Sequence, residues 1–190
     1  MSQQDLSNFS AISRLFGNLF YRAPNDPILE PVFHWLQQQG LTQLWPLSTD
    51  KQSEQALAAL QMKLDPEILT AEYQKLFANE PDSTAKVDLS ISTYDIDSHE
   101  FMLFRQERAM PEVNNVDNFA LLLLSASWIE DNLDSAEAQQ VLFSQFLLPC
   151  AAKFLAKVEQ QASLPFYKAL ALLTREILAA MADELDEETC

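Results

Sequence analysis

Residues 118–132, with the sequence NFALLLLSASWIEDN, decide the fold of this protein. Within this segment, residues 119–124 are hydrophobic on all sides of a helix, and such a helix lies buried in the centre of a protein. Asp117 immediately precedes the segment, and an acidic side chain at this place is typical of a helix N-cap. We therefore predict a central helix over 118–132 that Asp117 caps and that other elements surround.

Amphipathic helical patterns flank this central segment. The first follows the three-and-four spacing of one buried helical stripe, at Leu6, Phe9, Ile12, Leu15, Phe16, Leu19 and Phe20. Capping residues, or prolines in a first turn, mark further helix starts, at Asp26 or Glu30, Thr49, Asp65, Ser98, Ser135 and Leu164. Gly40 is predicted to end the second helix, and Pro149 to kink or break the helix that Ser135 begins.

Glycine is scarce in this sequence, which contains only two glycines among 190 residues. Tight hairpins and phosphate-binding loops need glycine because it adopts positive φ angles without strain. All-β folds and glycine-rich nucleotide loops are therefore disfavoured. The predicted fold class is all-α, a single-domain helical bundle.

The helical patterns fall into two groups that a connector joins. We predict N-terminal helices within residues 5–78 and C-terminal helices within 98–182, which together form one domain. The connector, 79–97, contains VDLSISTYDID, which fits a short extended piece or an irregular loop, and its length suits a hinge. Residues 183–190 carry five acidic residues and no basic one, and they are predicted to form a disordered acidic tail.

The charge of the chain is strongly negative and unevenly distributed. It has 28 acidic and 12 basic residues, a formal charge of −16, and 12 of the acids lie with only three bases between residues 79 and 134. Such a field repels nucleic acid and attracts cationic partners. The alternative explanation is that the acidic surface only keeps the protein soluble.

The sequence contains no recognisable catalytic or metal-binding motif. His34 and His99 lack the spacing of a metal-ligand pair, and Cys150 lies in an apolar helical context that favours a packed thiol. Cys150 and Cys190 are too few for a disulfide framework, which indicates a reducing compartment. The longest apolar stretch, 119–129, is shorter than the ~20 residues of a membrane span, and the first residues lack the pattern of a signal peptide. We expect a soluble cytoplasmic protein that is not an enzyme, holds no metal and does not insert into a membrane.

Three motifs follow one another along the chain. They are EYQKLF near residue 77, PEVNNVDNFALLL around Asp117, and FLLPCAAKFLAKVEQQASLPFYKALALLTREIL at 146–178. In order and spacing they resemble the Y-x-x-L-F, E-P-x-D-H-L-A and L-L-P-W to F-Y-x-A-L-A-x-L-T patterns of the TorD/DmsD/NarJ family, the cytoplasmic maturation chaperones of molybdoenzymes. The resemblance covers about residues 5–182 and implies a TorD-like helical bundle. The matching positions are Tyr73, Leu76, Phe77, Glu112, Asp117, Phe119, Ala120, Leu147, Leu148, Pro149, Phe166, Tyr167, Ala169, Leu170, Ala171, Leu173 and Thr174.

The chain departs from these patterns at three places. Asn118 stands where the family often has histidine, so a role that needs an imidazole is not carried over. Cys150 replaces the tryptophan of L-L-P-W, and the family's P-P-Y-x-S-x-Y segment survives only as Ser92 and Tyr94. These departures leave the client enzyme unidentified.

The resemblance implies a chaperone that binds the twin-arginine signal peptide, the apoprotein, or both, of a molybdenum-cofactor oxidoreductase, and that delays its export until the cofactor is inserted. Arginines of such a peptide require carboxylates, and its apolar region requires a hydrophobic groove. Acids of the connector and the following helix start are Glu80, Asp82, Asp88, Asp95, Asp97 and Glu100. The predicted peptide-binding residues are Tyr73, Leu76, Phe77, Ser92, Tyr94, Glu112, Asp117 and Asn118, and a direct contact of Leu76 and Phe77 with the peptide requires these two side chains to be exposed.

These residues also have structural interpretations. Asp117 can serve only as an N-cap, and Tyr94 can anchor the connector. Leu76 and Phe77 have the spacing of core residues, which favours burial of both. The alternative function is an acidic helical adaptor for another basic partner that binds no signal peptide. The resemblance further implies weak guanine nucleotide binding, for which the sequence has no phosphate-binding motif, and a monomer or a domain-exchanged dimer.

Overall fold

The computed structural model describes residues 8–77, 85–133 and 135–188. Within these ranges the chain forms α-helices joined by short turns and contains no β-strand, which confirms the predicted all-α, single-domain fold. The α-helices are α1 (Phe9–Tyr21), α2 (Glu30–Gln37), α3 (Gly40–Leu44), α4 (Lys51–Leu60), α5 (Pro66–Phe77), α6 (Ser98–Glu107), α7 (Phe119–Asn132), α8 (Ala136–Leu142), α9 (Leu148–Gln161) and α10 (Pro165–Glu188).

Helix α7 is the central helix, as its hydrophobic sequence predicts. Its buried side chains lie on every side of the helix, and α1 packs along it. The Ser13 hydroxyl of α1 donates a hydrogen bond of 2.7 Å to the carbonyl oxygen of Leu123. One turn further along α1, a Cβ at Gly17 would lie 2.8 Å from the side chain of Leu124, so the absence of a side chain at Gly17 lets the two helices approach closely.

An aromatic cluster joins the helices that precede the connector to those that follow it. Phe119 of α7 stacks on Phe154 of α9, with ring centroids 4.1 Å apart. Phe20 of α1 meets the ring of Phe154 edge-on at 5.3 Å, and Phe77 of α5 meets Tyr167 of α10 edge-on at 5.5 Å. Because such pairs stabilise beyond their buried area, the two predicted helical groups share one core.

Two carboxylates tie α10 to earlier helices. Glu72 of α5 is buried and accepts backbone N–H groups of Ser163 and Leu164 at 2.6 and 3.2 Å, in the turn that precedes α10. Glu176 of α10 accepts the Ser53 hydroxyl of α4 at 2.7 Å. The last helix is therefore fixed at its start and in its middle.

Acidic or amide side chains cap several helices, in some cases one residue away from the predicted cap. Asp50 rather than Thr49 caps α4, and its carboxylate accepts the Ser53 N–H at 2.8 Å. Asp97, one residue before the predicted Ser98, caps α6. In both places a carboxylate adjoins the predicted hydroxyl residue and binds the exposed N–H groups of the first turn, where the helix dipole favours negative charge. The cap at Ser135 is confirmed, whereas Asp26 caps a 3-10 turn, Pro27–Leu29, and the α-helix that follows begins at Glu30, the alternative start.

The prediction that Gly40 ends the second helix is wrong. Helix α2 ends at Gln37, and Gly40 begins α3. Gln39 adopts the left-handed conformation between them, with φ of 61°. Glycine is needed at 40 for a different reason, since a Cβ there would lie 2.2 Å from the indole of Trp35.

The helix that Ser135 begins is interrupted next to Pro149, as predicted. A π-helical turn, Phe143–Leu147, separates α8 from α9, and Pro149 lies in the first turn of α9. Proline has no N–H to donate to the preceding turn, so regular α-helical hydrogen bonding is lost beside it. The continuous helical run Ala136–Gln161 is long and apolar enough to cross a membrane by length and composition, but half of its most apolar window is buried inside the protein.

Helix α10 extends further than the sequence predicts. It continues to Glu188, and Leu185 packs into the core, so the prediction of a disordered tail is wrong for residues 183–188. In the connector, residues 91–94 form a 3-10 turn, Ile91–Tyr94, in place of the extended piece or irregular loop. Glu80 and Asp82 lie outside the described residues.

Candidate functional site

The candidate site lies where the 3-10 turn Ile91–Tyr94 meets the start of α7. Asp117 accepts two hydrogen bonds from Ser92, one from its backbone N–H at 2.9 Å and one from its hydroxyl at 2.6 Å. Next to this pair, the N–H of Phe119 donates to the carbonyl oxygen of Leu89 at 2.8 Å. These bonds join the connector before α6 to the segment before α7.

The prediction that Asp117 caps α7 is wrong, because the cap is Asn118. The Asn118 side-chain oxygen accepts the Ala120 N–H at 2.9 Å. Asp117 therefore has its carboxylate directed to Ser92 rather than to the helix. A carboxylate has about four acceptor positions, so two hydrogen bonds from Ser92 leave room for a guanidinium.

Predicted site residues at this junction differ in exposure. Ser92 and Glu112 are exposed, whereas Asp117 and Asn118 are half-buried. Glu112 lies on the segment between α6 and α7, and the structure gives no contact that joins its carboxylate to Asp117. Asp117 is thus an anchored carboxylate at the junction, and Glu112 is an exposed carboxylate on the segment that leads to it.

Arg105 of α6 holds the start of that connecting segment and was not identified from the sequence. Its side chain is 7% exposed, and its guanidinium donates to the Pro111 carbonyl oxygen at 2.8 Å and to the Ser125 hydroxyl at 2.5 Å. Burial lowers the pKa of Arg105. The sequence signal for the burial of Arg105 was its spacing from Phe101 and Phe104, because residues at this spacing share one face of a helix. All three are buried in α6.

Tyr94 anchors the 3-10 turn to α9. It is buried, its hydroxyl donates to the Asp88 carbonyl oxygen at 2.6 Å, and its ring meets Phe154 edge-on at 5.9 Å. Burial raises the pKa of Tyr94, and the nearby charge of Asp88 raises it further. The Asp88 carboxylate in turn accepts the Ser90 N–H and the Thr93 hydroxyl, so the turn is held by its own residues as well as by α9.

Two lysines of α9 contact the same turn. The Lys153 ammonium lies 2.5 Å from a carboxylate oxygen of Asp95, and this hydrogen bond and charge lower the pKa of Asp95. The Lys157 ammonium lies 4.9 Å from the centroid of the Tyr94 ring, within the range of a cation–π contact. Sequence reasoning missed both lysines because it assigned this helix only to the family motif.

Tyr73, Leu76 and Phe77 are buried in the core, as the spacing of Leu76 and Phe77 predicts, so Leu76 and Phe77 offer no exposed surface to a peptide. Leu76 is 1% exposed and Phe77 is 2% exposed. The Tyr73 hydroxyl donates to the Phe20 carbonyl oxygen at 2.8 Å, and burial raises the pKa of Tyr73 to about 12. The Leu76 carbonyl oxygen accepts the Val87 N–H at 2.9 Å, so this end of α5 supports the connector from within.

The exposed apolar side chains nearest in sequence to the junction are on α6 and on the segment that follows it. Leu103 is 42% exposed and Val113 is 36% exposed. Two cavities of about 470 and 250 Å³ lie beside the C-terminal turns of α10, and none of the eight predicted residues lines either of them. The candidate site is therefore an exposed surface rather than one of these cavities.

The described residues hold no group of three or more histidine, cysteine or acidic side chains placed to bind a metal ion. Cys150 is fully buried beneath the junction. Burial, with the nearby Asp117 carboxylate, raises the pKa of the Cys150 thiol to about 12. The thiol is thus protonated at neutral pH, as expected for a packing residue.

Comparisons with known proteins cover nearly the whole chain. No protein-family model matches. An uncharacterized protein of Haemophilus influenzae is 63% identical over 99% of this chain and 100% of its own. The chaperone protein YcdY of Escherichia coli is 37% identical over 97% of this chain and 99% of its own.

A more distant relative has a name that states a role. The probable Tat proofreading chaperone DmsD of Haemophilus influenzae is 26% identical over 93% of this chain and 91% of its own. Because the 37% identity to YcdY extends across 97% of the chain, and the all-helical fold agrees with the motifs, the chain belongs to the TorD/DmsD family of redox-enzyme maturation chaperones.

Proposed function

We propose that this chaperone binds the twin-arginine signal peptide and apoprotein of a molybdenum-cofactor oxidoreductase in the cytoplasm, and delays export until the cofactor is inserted. The observation that carries the proposal is the Ser92–Asp117 pair, which holds a carboxylate at the half-buried junction of two acidic connecting segments. Relatives that are named Tat proofreading chaperones support the same assignment.

The charge distribution suits a peptide with two arginines. Asp117 keeps free acceptor positions, and the exposed carboxylates of Glu112, Asp95 and Glu100 lie on the connecting segments or at the start of α6. Hydrogen bonds between arginine and carboxylate are about twice as strong as those between neutral groups. A few such contacts therefore set the position of the arginines along this surface.

The apolar part of the peptide needs a different partner from the one that the sequence suggests. Leu76 and Phe77 are in the core, so they support the connector and offer no surface. Leu103 and Val113 are the exposed apolar residues of α6 and the segment after it. We assign to these two side chains the first contacts with the apolar region that follows the arginines.

The test is calorimetric titration of the full chain with synthetic twin-arginine leaders of the host's molybdenum reductases, at two salt concentrations. We expect micromolar binding to one leader, weakened by salt and by a twin-lysine substitution in that leader. Equal affinity for the twin-lysine leader would instead favour the acidic adaptor for a general basic partner. Absence of binding to every leader by the folded protein would contradict the proposal.

A matched pair of variants separates binding from folding. Asp117 accepts the N–H of Ser92 at 2.9 Å, and Asp50 accepts the N–H of Ser53 at 2.8 Å. Asp117→Ala and Asp50→Ala therefore remove the same charge and the same kind of hydrogen bond from a serine N–H. We expect Asp117→Ala alone to weaken leader binding, by about tenfold or more, while both variants lower the melting temperature.

A further inference from the structure

Two lysines of α9, one helical turn apart, contact the 3-10 turn beside the Ser92–Asp117 pair. Lys153 forms an ion pair with Asp95 at 2.5 Å, and Lys157 lies over the ring of Tyr94 at 4.9 Å. Asp95 follows Tyr94 directly, so the two cations occupy neighbouring positions of one short segment. Two lysine ammonium groups thus contact a carboxylate and an aromatic ring of the same protein.

Two lysine contacts on one short segment are unusual in so acidic a protein. The chain has 12 basic residues against 28 acidic ones, and only three bases lie between residues 79 and 134. Lys153 and Lys157 come from a helix about 60 residues further along the chain, as the separation of Lys153 from Asp95 is 58 residues. The fold therefore brings two positive charges from elsewhere onto its acidic connector.

We propose that Lys153 is an internal competitor for the client peptide, and that in the free protein it occupies the position on Asp95 that one arginine takes in the complex, while the other arginine binds Asp117. This inference rests on the proposed function. It assigns to the site a displaceable cation, and it names Asp95 as the contact that arginine binding frees from Lys153.

The exposure of the ion pair makes displacement feasible. The side chains of Lys153 and Asp95 are 53% and 85% exposed, and exposed pairs of this kind contribute little to stability. A guanidinium forms two parallel hydrogen bonds with a carboxylate and stacks well on an aromatic ring, whereas an ammonium acts as a compact point charge. An arginine of a client therefore replaces Lys153 on Asp95 at small cost to the fold.

The experiment compares leader affinity of the wild-type full chain with that of four variants, by calorimetry with the twin-arginine leader that the wild type binds. Lys153→Gln should tighten binding roughly two- to fivefold, which is the factor that an exposed ion pair is worth. Lys168→Gln is the matched control, since Lys168 is an exposed lysine of α10 and the charge change is identical. The Lys168→Gln affinity should stay close to that of the wild type.

A double-mutant cycle separates competition from simple repulsion. In an Asp95→Asn background, Lys153→Gln should no longer tighten binding, because the carboxylate for which the lysine competes is gone. A gain that persists in this background, or an equal gain with Lys168→Gln, would contradict the proposal.

The measurements distinguish a failure of the signal-peptide function from a failure of the competitor role. If the wild type binds no leader, the signal-peptide function itself fails. If the wild type binds and Lys153→Gln leaves the affinity unchanged, only the competitor role fails. Circular dichroism of each variant, unchanged in helical content and melting temperature within a few degrees, shows that the comparison concerns binding.

Discussion

Asp117 accepts two hydrogen bonds from Ser92, which lies 25 residues earlier in the chain, and it does not cap the helix that it precedes. The neighbouring Asn118 takes the capping role. The acid of the family motif is thus free to join two connecting segments. Its position depends on Ser92, so changes at either residue should affect the same surface.

Ser92→Ala removes the hydroxyl that donates to Asp117 and keeps the backbone bond. We expect the free energy of unfolding to fall by about 1 kcal/mol, the typical net contribution of one hydrogen bond in a protein, and leader affinity to fall as well. Thr93→Ala is the control, because the Thr93 hydroxyl makes a bond of similar length, 2.7 Å, to Asp88 in the same turn. Urea unfolding and calorimetry should give similar stability losses but a binding loss only for Ser92→Ala.

Arg105→Lys should loosen the segment between α6 and α7. A lysine keeps the charge but lacks the planar fork that reaches Pro111 and Ser125 together. We expect a loss of roughly 1–3 kcal/mol in the free energy of unfolding and faster hydrogen exchange of amides in residues 112–117, with the amides of α7 still protected at low denaturant. Exchange that accelerates equally in α7 and in the segment would show that Arg105 only supports the whole fold.

Ala109→Gly should stabilise the protein. Ala109 has a φ of 54° at the end of α6, and the N–H of Met110 returns to the Arg105 carbonyl oxygen at 3.1 Å, as in a Schellman motif. Glycine avoids the cost of about 1–2 kcal/mol that a Cβ imposes there, which exceeds the extra entropy it gives the unfolded chain. The control is Ala179→Gly, at an exposed position inside α10, which should lower the free energy of unfolding by about 1 kcal/mol. If Ala109→Gly also lowered the free energy of unfolding, the Cβ of Ala109 would not be strained as proposed.

Cys150 should make stability fall at high pH. Its pKa is raised from 9.0 to about 12 in the folded protein, chiefly by burial. The folded state therefore holds a proton that the unfolded state loses, so the contribution is complete below about pH 9 and is lost as the pH rises towards 12. The free energy of unfolding should be measured for the wild type and for Cys150→Ala by denaturant unfolding. The difference between the two should be constant below about pH 9, and the wild type should lose stability relative to the variant from pH 9 towards 12. Parallel curves up to pH 11 would show an exposed thiol.

The candidate site was predictable in part. The family motifs led to Asp117, Ser92 and Tyr94, and all three lie on the elements that meet at the junction. Arg105 and Lys153 were not found, because a buried arginine and an exposed lysine look like ordinary helix residues until their partners are known. The spacing of Phe77 predicted its core position, but not its ring partners, such as Tyr167 of α10, which come from a distant part of the chain.

By itself the sequence determined the all-α class, the central place of α7 and most helix starts. These features depend on hydrophobic period and on caps, which act within one or two helical turns. Only the tertiary structure decided that Asp117 binds Ser92, that Phe77 faces the core and that Lys153 covers Asp95. These contacts join residues tens of positions apart, and their existence depends on how the connecting segments and α9 pack around one core.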